Sequence, residues 1–146
     1  MKKIDTIDPI LQSHFLNLFQ IALADTDIHP DELKFLYDFG IKRGIEQKQI
    51  DDLINNPHKI RFKIPDSIYK RIELLYDFAT LILADGKIDP REIKIFKSLA
   101  LDFGFEKENI PDIIDFLIEE GKKGTEKEKI HAIVRKNLKP DGEEND

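Results

Sequence analysis

The sequence predicts an all-α fold, a single-domain bundle of about seven helices built from two pseudo-repeated three-helix units. Apolar residues recur at helical spacing along most of the chain, and the alternation typical of strands is nearly absent. Proline, acidic and glycine residues stand where helices are expected to begin and end. An internal repeat without gaps, displaced by 60 residues, predicts the two-part organisation.

The composition is that of a globular chain with a heavily charged surface. Of its 146 residues, 40% are hydrophobic and 36% are charged, which predicts one soluble domain with a substantial core. The net charge of −6 argues against nucleic acid as a partner, because phosphates would be repelled. The chain has no cysteine, which excludes disulfides, thiolate metal sites and cysteine nucleophiles.

Neither a signal peptide nor a membrane span is predicted, so we expect a cytoplasmic protein without membrane insertion. The N-terminal segment MKKIDTIDPI lacks the apolar stretch of a signal peptide. The longest apolar stretch, residues 74–84, is too short to span a bilayer and is interrupted by Asp77.

Start and stop signals divide the first unit, residues 8–56, into three helices. Asp8 suits a helix cap, and Gly44 suits a left-handed helix end, which only glycine adopts freely. The predicted helices run from Pro9 to about Ala24, from about Pro30 to just before Gly44, and over about Gln47–Asn55. A connector of residues 56–67 follows, bounded by two prolines.

The second unit, residues 66–120, repeats this plan, and a seventh helix follows it. Its helices are predicted from about Asp66 to Ala84, from Pro90 to about Phe103, and from Pro111 to about Glu120. The stretch ELLYDFATLILA, residues 73–84, is apolar almost all round, which predicts a buried central helix. Thr125 and Glu128 form a capping-box pattern for the last helix, which ends near Leu138. The domain is therefore predicted over residues 1–138, with a frayed polar tail at 139–146.

The repeat aligns residues 21–50 with residues 81–110 and centres on a corner between two helices. The corner reads LADTDIHPDE (residues 23–32) in the first copy and LADGKIDPRE (residues 83–92) in the second. The identical pairs are Leu23/Leu83, Ala24/Ala84, Asp25/Asp85, Ile28/Ile88, Pro30/Pro90, Glu32/Glu92, Lys34/Lys94, Gly44/Gly104, Glu46/Glu106 and Ile50/Ile110. Because one unit alone would not easily bury its apolar face, we expect one domain rather than two.

The first corner contains His29-Pro30-Asp31, the tripeptide that marks J-domain co-chaperones. In that family the tripeptide follows a strongly basic helix, whereas residues 12–28 carry no Lys or Arg. The second copy has Asp89-Pro90-Arg91 at the same place, so the repeat keeps the proline but not the tripeptide. We therefore interpret the match as chance.

Both corners are acidic, which predicts a weak site for a divalent cation such as Ca²⁺ or Mg²⁺. Hard cations prefer oxygen ligands, and a cation would relieve the repulsion among crowded carboxylates. The candidate metal ligands are Asp25, Asp27 and Glu32 in the first copy and Asp85, Asp89 and Glu92 in the second. A complete EF-hand loop is excluded, because its earlier ligand positions would fall on Leu81 and Leu83.

Helix capping explains part of the same pattern without a ligand. Asp89 suits a cap, and Glu92 suits the third helical position, from which its carboxylate reaches back to the cap. His29 is expected to be a poor cap. Asp25 and Asp85 are expected to end the preceding helices, where the helix dipole disfavours an acid, so capping does not explain them.

Two copies of Ala-Asp-(Gly)-x-Ile-x-Pro-x-Glu at helix corners resemble the TerB family of tellurite-resistance proteins, over about residues 8–120. A similar module is fused to J-domains in some membrane-anchored co-chaperones. The resemblance implies a non-enzymatic helical domain that binds divalent metal and works with a protein partner in stress responses. The positions that match the family are Asp25, Glu32, Asp85 and Glu92. The first copy departs from the pattern at Thr26, where the second has Gly86.

Two other functions fit the sequence. A hydrolase would use one carboxylate from each corner as acid and base, and a structural adaptor would bind a protein without metal. Asn17 and Asp77 lie inside apolar helices and are expected to pair with each other or to lie at the solvent edge. His14 is expected at the edge of the core. The basic segment 58–71 and the lysine-rich stretch 121–129 are interpreted as solvated.

Overall fold

The computed structural model describes residues 7–24 and 28–137, apart from the side chains of Asp85 and Asn137. Within these residues the chain is all-helical and has no strand, which confirms the predicted fold class. The helices of the described part are α1 (Pro9–Ala22), α2 (Pro30–Lys42), α3 (Gln47–Asn55), α4 (Ile68–Ile82), α5 (Pro90–Asp102), α6 (Ile110–Lys123) and α7 (Lys127–Asn137). Short 3₁₀ turns cover Pro57–Lys59, Leu83–Asp85 and Lys107–Asn109.

Three predicted features lie outside the described residues. They are Asp25 and Asp27 of the first corner and the polar tail at 139–146. Among the helices that are described, none combines the length and the apolar composition needed to cross a membrane.

The predicted start of α1 is confirmed, whereas α4 begins two residues later than predicted. The Asp8 Oδ1 atom accepts a hydrogen bond from the Ile10 N–H at 3.0 Å, and a proline occupies the first turn. The cap of α4 is Ser67, and its Oγ atom accepts from the Lys70 N–H at 3.4 Å. Asp and Ser are equally good caps, so residue type alone does not choose between two neighbours.

Helix α4 lies at the centre of the bundle, as its apolar sequence predicts. It packs against α1, α5, α6 and α7. Leu75, Phe78 and Leu81 are completely buried in it, and the Phe78 ring meets the rings of Phe96 and Phe103 edge to face. Each fully buried side chain of this size contributes about 2 kcal/mol to folding. Helix α4 is therefore the support from which both corners and the last helix are positioned.

Helices α2 and α5 end at glycines in the left-handed region, as predicted. The φ angle is 86° at Gly44 and 91° at Gly104. In each case the next N–H donates back to a carbonyl of the last helical turn, at 2.9 Å from Ile45 and at 3.3 Å from Phe105. The two helices thus end by the same hydrogen-bonding pattern, while the twofold repeat as a whole stays a prediction.

The helices before the two corners end earlier than predicted, so Asp85 does not end α4. Helix α4 ends at Ile82, and the chain tightens into the 3₁₀ turn Leu83–Asp85 before Gly86, whose φ is 79°. Helix α1 ends at Ala22. Position 85 therefore lies in the 3₁₀ turn that follows α4 rather than in α4 itself.

Replacing Gly44 with alanine is expected to lower the free energy of unfolding by about 1 kcal/mol, because an L-residue is strained at this φ. Gly44→Asn should cost less, since Asn tolerates the left-handed region. Urea unfolding of the two variants beside the wild type measures the difference. Equal losses in both would contradict a backbone cause.

Candidate functional site

At the first corner His29 caps α2, and the prediction that it is a poor cap is wrong. Its Nδ1 atom accepts a hydrogen bond from the Asp31 N–H at 3.1 Å. A neutral imidazole has one accepting nitrogen, which here does the work of an Asp or Ser oxygen. Glu32 completes a capping box, because its Oε1 atom accepts from the His29 N–H at 3.2 Å. The tripeptide that contains His29 therefore serves to start a helix.

Glu32 is buried more deeply than a cap requires. The residue is only 1% exposed. Within the described part of the chain, its second carboxylate oxygen, Oε2, is buried and has no hydrogen-bond partner. A buried oxygen without a donor costs about 1–3 kcal/mol, and more when it carries charge. Capping thus accounts for one oxygen of Glu32 and leaves the other for a further donor or a cation.

At the second corner Asp89 caps α5, as predicted, and is also engaged by Arg91. Asp89 Oδ1 accepts from the Arg91 N–H at 2.8 Å, and the guanidinium reaches the two carboxylate oxygens at 3.2 and 3.0 Å. These side-chain and backbone hydrogen bonds hold the pKa of Asp89 below its usual value. Asp89 is therefore engaged by both the cap and the Arg91 guanidinium, and Glu92 is 2% exposed at the position equivalent to Glu32.

Of the predicted metal ligands, the structure places the side chains of Glu32, Asp89 and Glu92. Asp25 and Asp27 lie outside the described residues, as does the side chain of Asp85. Among the side chains that are placed, no three acids or histidines come close enough together to hold a metal ion. The described residues thus bring one buried glutamate to each corner, while the rest of each predicted cluster is not described.

A second polar cluster lies inside the bundle. Asp77 of α4 is 6% exposed, and both of its carboxylate oxygens are engaged. The Nε2 atom of His14 in α1 is 2.8 Å from Oδ2, and the Nζ atom of Lys127 in α7 is 2.6 Å from Oδ1. One carboxylate therefore joins three helices that are distant in sequence.

Burial and the neighbouring charges set the protonation states of this cluster. Burial lowers the pKa of His14 below its usual value of 6.5, although Asp77 opposes the shift. His14 is therefore neutral at pH 7, and its Nε2–H donates to the carboxylate. Burial would raise the pKa of Asp77, but the His14 hydrogen bond and the Lys127 charge outweigh it and keep this pKa below its usual value. The buried anion thus faces one cation and one neutral donor.

The pair of Asp77 and Lys127 belongs to a row of contacts along which α7 lies on α4. Residues spaced by four on each helix meet in opposite order: Tyr69 with Arg135, Glu73 with His131, and Asp77 with Lys127. The first contact places a guanidinium 5.3 Å from the ring centre, and the second places a ring nitrogen 3.7 Å from a carboxylate oxygen. Ile130 and Val134 of α7 are completely buried. Helix α7 is thus antiparallel to α4 and fixed in register by polar contacts.

Sequence reasoning identified Asp77 as a residue that needs a partner but did not identify the partners. Asn17 and Asp77 are both buried, which contradicts the solvent-edge prediction, and Asp77 pairs with His14 and Lys127 rather than with Asn17. The interpretation of residues 121–129 as solvated is wrong for Lys127, which pairs with the buried Asp77. The alternating charges of this stretch did not distinguish Lys127 from its solvated neighbours. The position of Asp77 could have predicted this pair, since a carboxylate in an apolar helix requires a cation from another part of the chain.

A cavity of about 220 Å³ lies beside this cluster, between α1, α4 and the end of α2. Its walls are formed by Asp8, Ile10, Leu11, His14, Arg43 and Leu74. The Arg43 guanidinium lies 4.5 Å from the centre of the Phe39 ring. None of the described lining residues carries a hydroxyl or a thiol.

Comparison of the chain with protein-family models, curated proteins and solved structures found no match. The described residues define a class by their own chemistry: an all-helical protein with a buried glutamate at the start of α2 and of α5 and a buried charge cluster at its centre. The resemblance to the TerB family stays a prediction.

Replacing Lys127 with methionine is expected to lower the free energy of unfolding by about 3 kcal/mol, because it leaves the Asp77 anion buried without its cation. The matched control is Lys129→Met, an exposed lysine on the same helix, which should change stability by less than about 0.5 kcal/mol. Adding Asp77→Asn to Lys127→Met should recover part of the loss. Urea unfolding measures all three, and equal losses for Lys127→Met and Lys129→Met would contradict the role of the pair.

Stability is expected to fall as the pH drops below the usual histidine pKa of 6.5. Because the pKa of His14 is lower in the folded protein, the unfolded chain binds more protons in this range, and acid favours unfolding. The contribution is complete above the unfolded pKa and is lost as the pH falls toward the folded pKa. Chemical unfolding from neutral to mildly acidic pH measures the slope. His14→Gln should flatten it, and an unchanged slope would assign the effect to another histidine.

Proposed function

We propose that this chain is a cytoplasmic, non-enzymatic helical module of the TerB type, built from two repeated units. It binds a divalent cation, Ca²⁺ or Mg²⁺, weakly at its acidic corners and docks a protein partner in a stress response. The observation that carries the proposal is the burial of the Glu32 carboxylate, which has one oxygen used by the cap and one oxygen without a donor.

A buried carboxylate needs compensation for the hydration that it loses. Among the described residues Glu32 has one hydrogen bond, from the His29 N–H, and no ion pair. A cap formed by an exposed glutamate would give the same hydrogen bond without the cost of burial. A cation at the corner would compensate the remaining charge. The Asp25 and Asp27 carboxylates are close enough to Glu32 in sequence to supply further oxygens.

The second corner supports the same proposal through Glu92, which is 2% exposed at the equivalent position. The 3₁₀ turn Leu83–Asp85 and the left-handed Gly86 precede the start of α5 in sequence. Two carboxylates from positions 85 and 92, with backbone carbonyls and water, would form a partial shell for a hard cation. Because Ca²⁺ takes about six to eight oxygens, a shell with few protein ligands implies weak binding.

The proposed docking role is supported by exposed apolar side chains at equivalent positions of the two units. Ile41 near the end of α2 is 56% exposed, and Leu101 near the end of α5 is 51% exposed. A single exposed apolar residue carries little weight, but the same exposure in both units favours a surface that a protein partner covers.

Thermal melts with and without millimolar Ca²⁺, Mg²⁺ or Mn²⁺ test the cation site. At a hundredfold excess over the dissociation constant, the cation should stabilise the fold by about 2.7 kcal/mol. This corresponds to a rise in Tm of roughly 5–10 °C for a chain of this size. Glu32→Gln keeps the capping acceptor and removes the charge, so it should retain the fold and reduce the shift.

Glu92→Gln and the pair Asp85→Asn/Glu92→Gln test the second corner in the same way. Glu108→Gln is the matched control, because it removes an exposed carboxylate and should leave the shift unchanged. No shift in the wild type, or the same shift in every variant, would overturn the cation site and leave an adaptor without metal.

A further inference from the structure

The connector between α3 and α4 presents a surface of opposite charge to the rest of the chain. We propose that residues 60–64 of this connector, here called the connector edge, bind an extended acidic peptide of a partner protein by strand pairing. The proposal does not depend on the cation site, because the connector edge lies outside both corners in sequence.

The connector edge is held on the body of the protein. Ile60 and Ile64 are partly buried and pack against the core. Between them the Phe62 ring meets the Phe103 ring at 5.9 Å, although Phe62 is 50% exposed. The Lys63 N–H donates to the Ser13 Oγ atom at 2.9 Å. Alternate residues thus face the protein, as in a strand that lies on a core.

Two backbone N–H groups of this segment have no partner among the described residues. Residues 60–65 belong neither to a helix nor to a turn, and Ile60 has the extended angles φ −103° and ψ 131°. Within the described chain, the N–H groups of Phe62 and Ile64 donate no hydrogen bond. Successive N–H groups of an extended chain point to opposite edges, so these two face away from the edge that contacts Ser13. The outer side therefore resembles the unpaired edge of a sheet.

The charge of the connector edge and its neighbours indicates the chemistry of the partner. Lys59, Arg61 and Lys63 are exposed, and none of them forms an ion pair with another described residue. Residues 58–71 contain five basic residues and one acidic residue, in a chain whose net charge is −6. An acidic strand would neutralise these cations, while an apolar side chain on the same strand would cover Phe62.

Two other occupants fit less well. A second copy of this chain would place the same cations opposite each other, which is the charge pattern that keeps sheet edges from pairing with themselves. A nucleic acid would meet the cations but would not use the backbone donors at strand spacing, and the net charge of the chain would repel it.

The experiment uses the whole chain and a fluorescent peptide of alternating Glu and Val, and it follows anisotropy at low and moderate salt. Arg61→Glu/Lys63→Glu should weaken binding at least about tenfold, because it reverses the charge beside the pairing edge. Lys94→Glu/Lys97→Glu is the matched control, since it makes the same charge change at two exposed lysines of α5. The control should bind the peptide within about twofold of the wild type.

A peptide with the same sequence but N-methylated backbone separates strand pairing from charge attraction. It should bind at least about tenfold more weakly than the unmodified peptide, because its methyl groups keep two paired strands from approaching closely and replace the peptide N–H donors. Equal binding of the two peptides overturns the proposal, as does equal weakening by the control variant.

Two other results would also overturn the proposal. Tighter binding of a single-stranded oligonucleotide would assign the surface to nucleic acid. Dimerisation that Arg61→Glu/Lys63→Glu blocks would assign it to a second copy. Absence of peptide binding to the wild type overturns the proposal as well.

Discussion

The buried charge of Asp77 is the constraint on which the arrangement of the bundle depends. A buried carboxylate is tolerated only when donors surround it, and here the donors come from His14 and Lys127, near the two ends of the chain. Helix α4 can occupy the centre because most of its residues are buried and apolar, and the charge of Asp77 among them is compensated. The corners follow directly on α1 and α4 in sequence, so the same contact fixes the helices from which both corners extend.

Glu32 combines two roles at the first corner. In an isolated helix a glutamate at the third position reaches back to the cap and keeps its charge in water. In this protein the surrounding helices bury Glu32, so the capping side chain also brings a negative charge into the interior. The capping hydrogen bond to Oε1 fixes the orientation of the Glu32 carboxylate. The other oxygen, Oε2, is thereby held in a defined position, which suits the binding of a ligand.

The residue types at the helix ends predicted most of the fold, whereas burial and long-range partners depend on tertiary packing. The starts of α1, α2 and α5 and the glycine ends of α2 and α5 follow from single residues, which is why the sequence predicted them. The sequence also selected Glu32 and Glu92 through the repeat, but their burial depends on the other helices. The cap by His29 depends on the tautomer of its ring, and the partners of Asp77 depend on packing across fifty residues or more, so neither follows from residue type.

The attachment of α7 has a consequence for the order in which the protein is made. Lys127 is among the last residues of the described chain, whereas Asp77 and His14 come much earlier in the sequence. During synthesis, α4 emerges from the ribosome and can pack against its apolar neighbours before Lys127, the cation that pairs with Asp77, has been added. The charge of Asp77 is therefore balanced by Lys127 only after α7 has left the ribosome, and a chain that ends before α7 would leave this carboxylate without that cation.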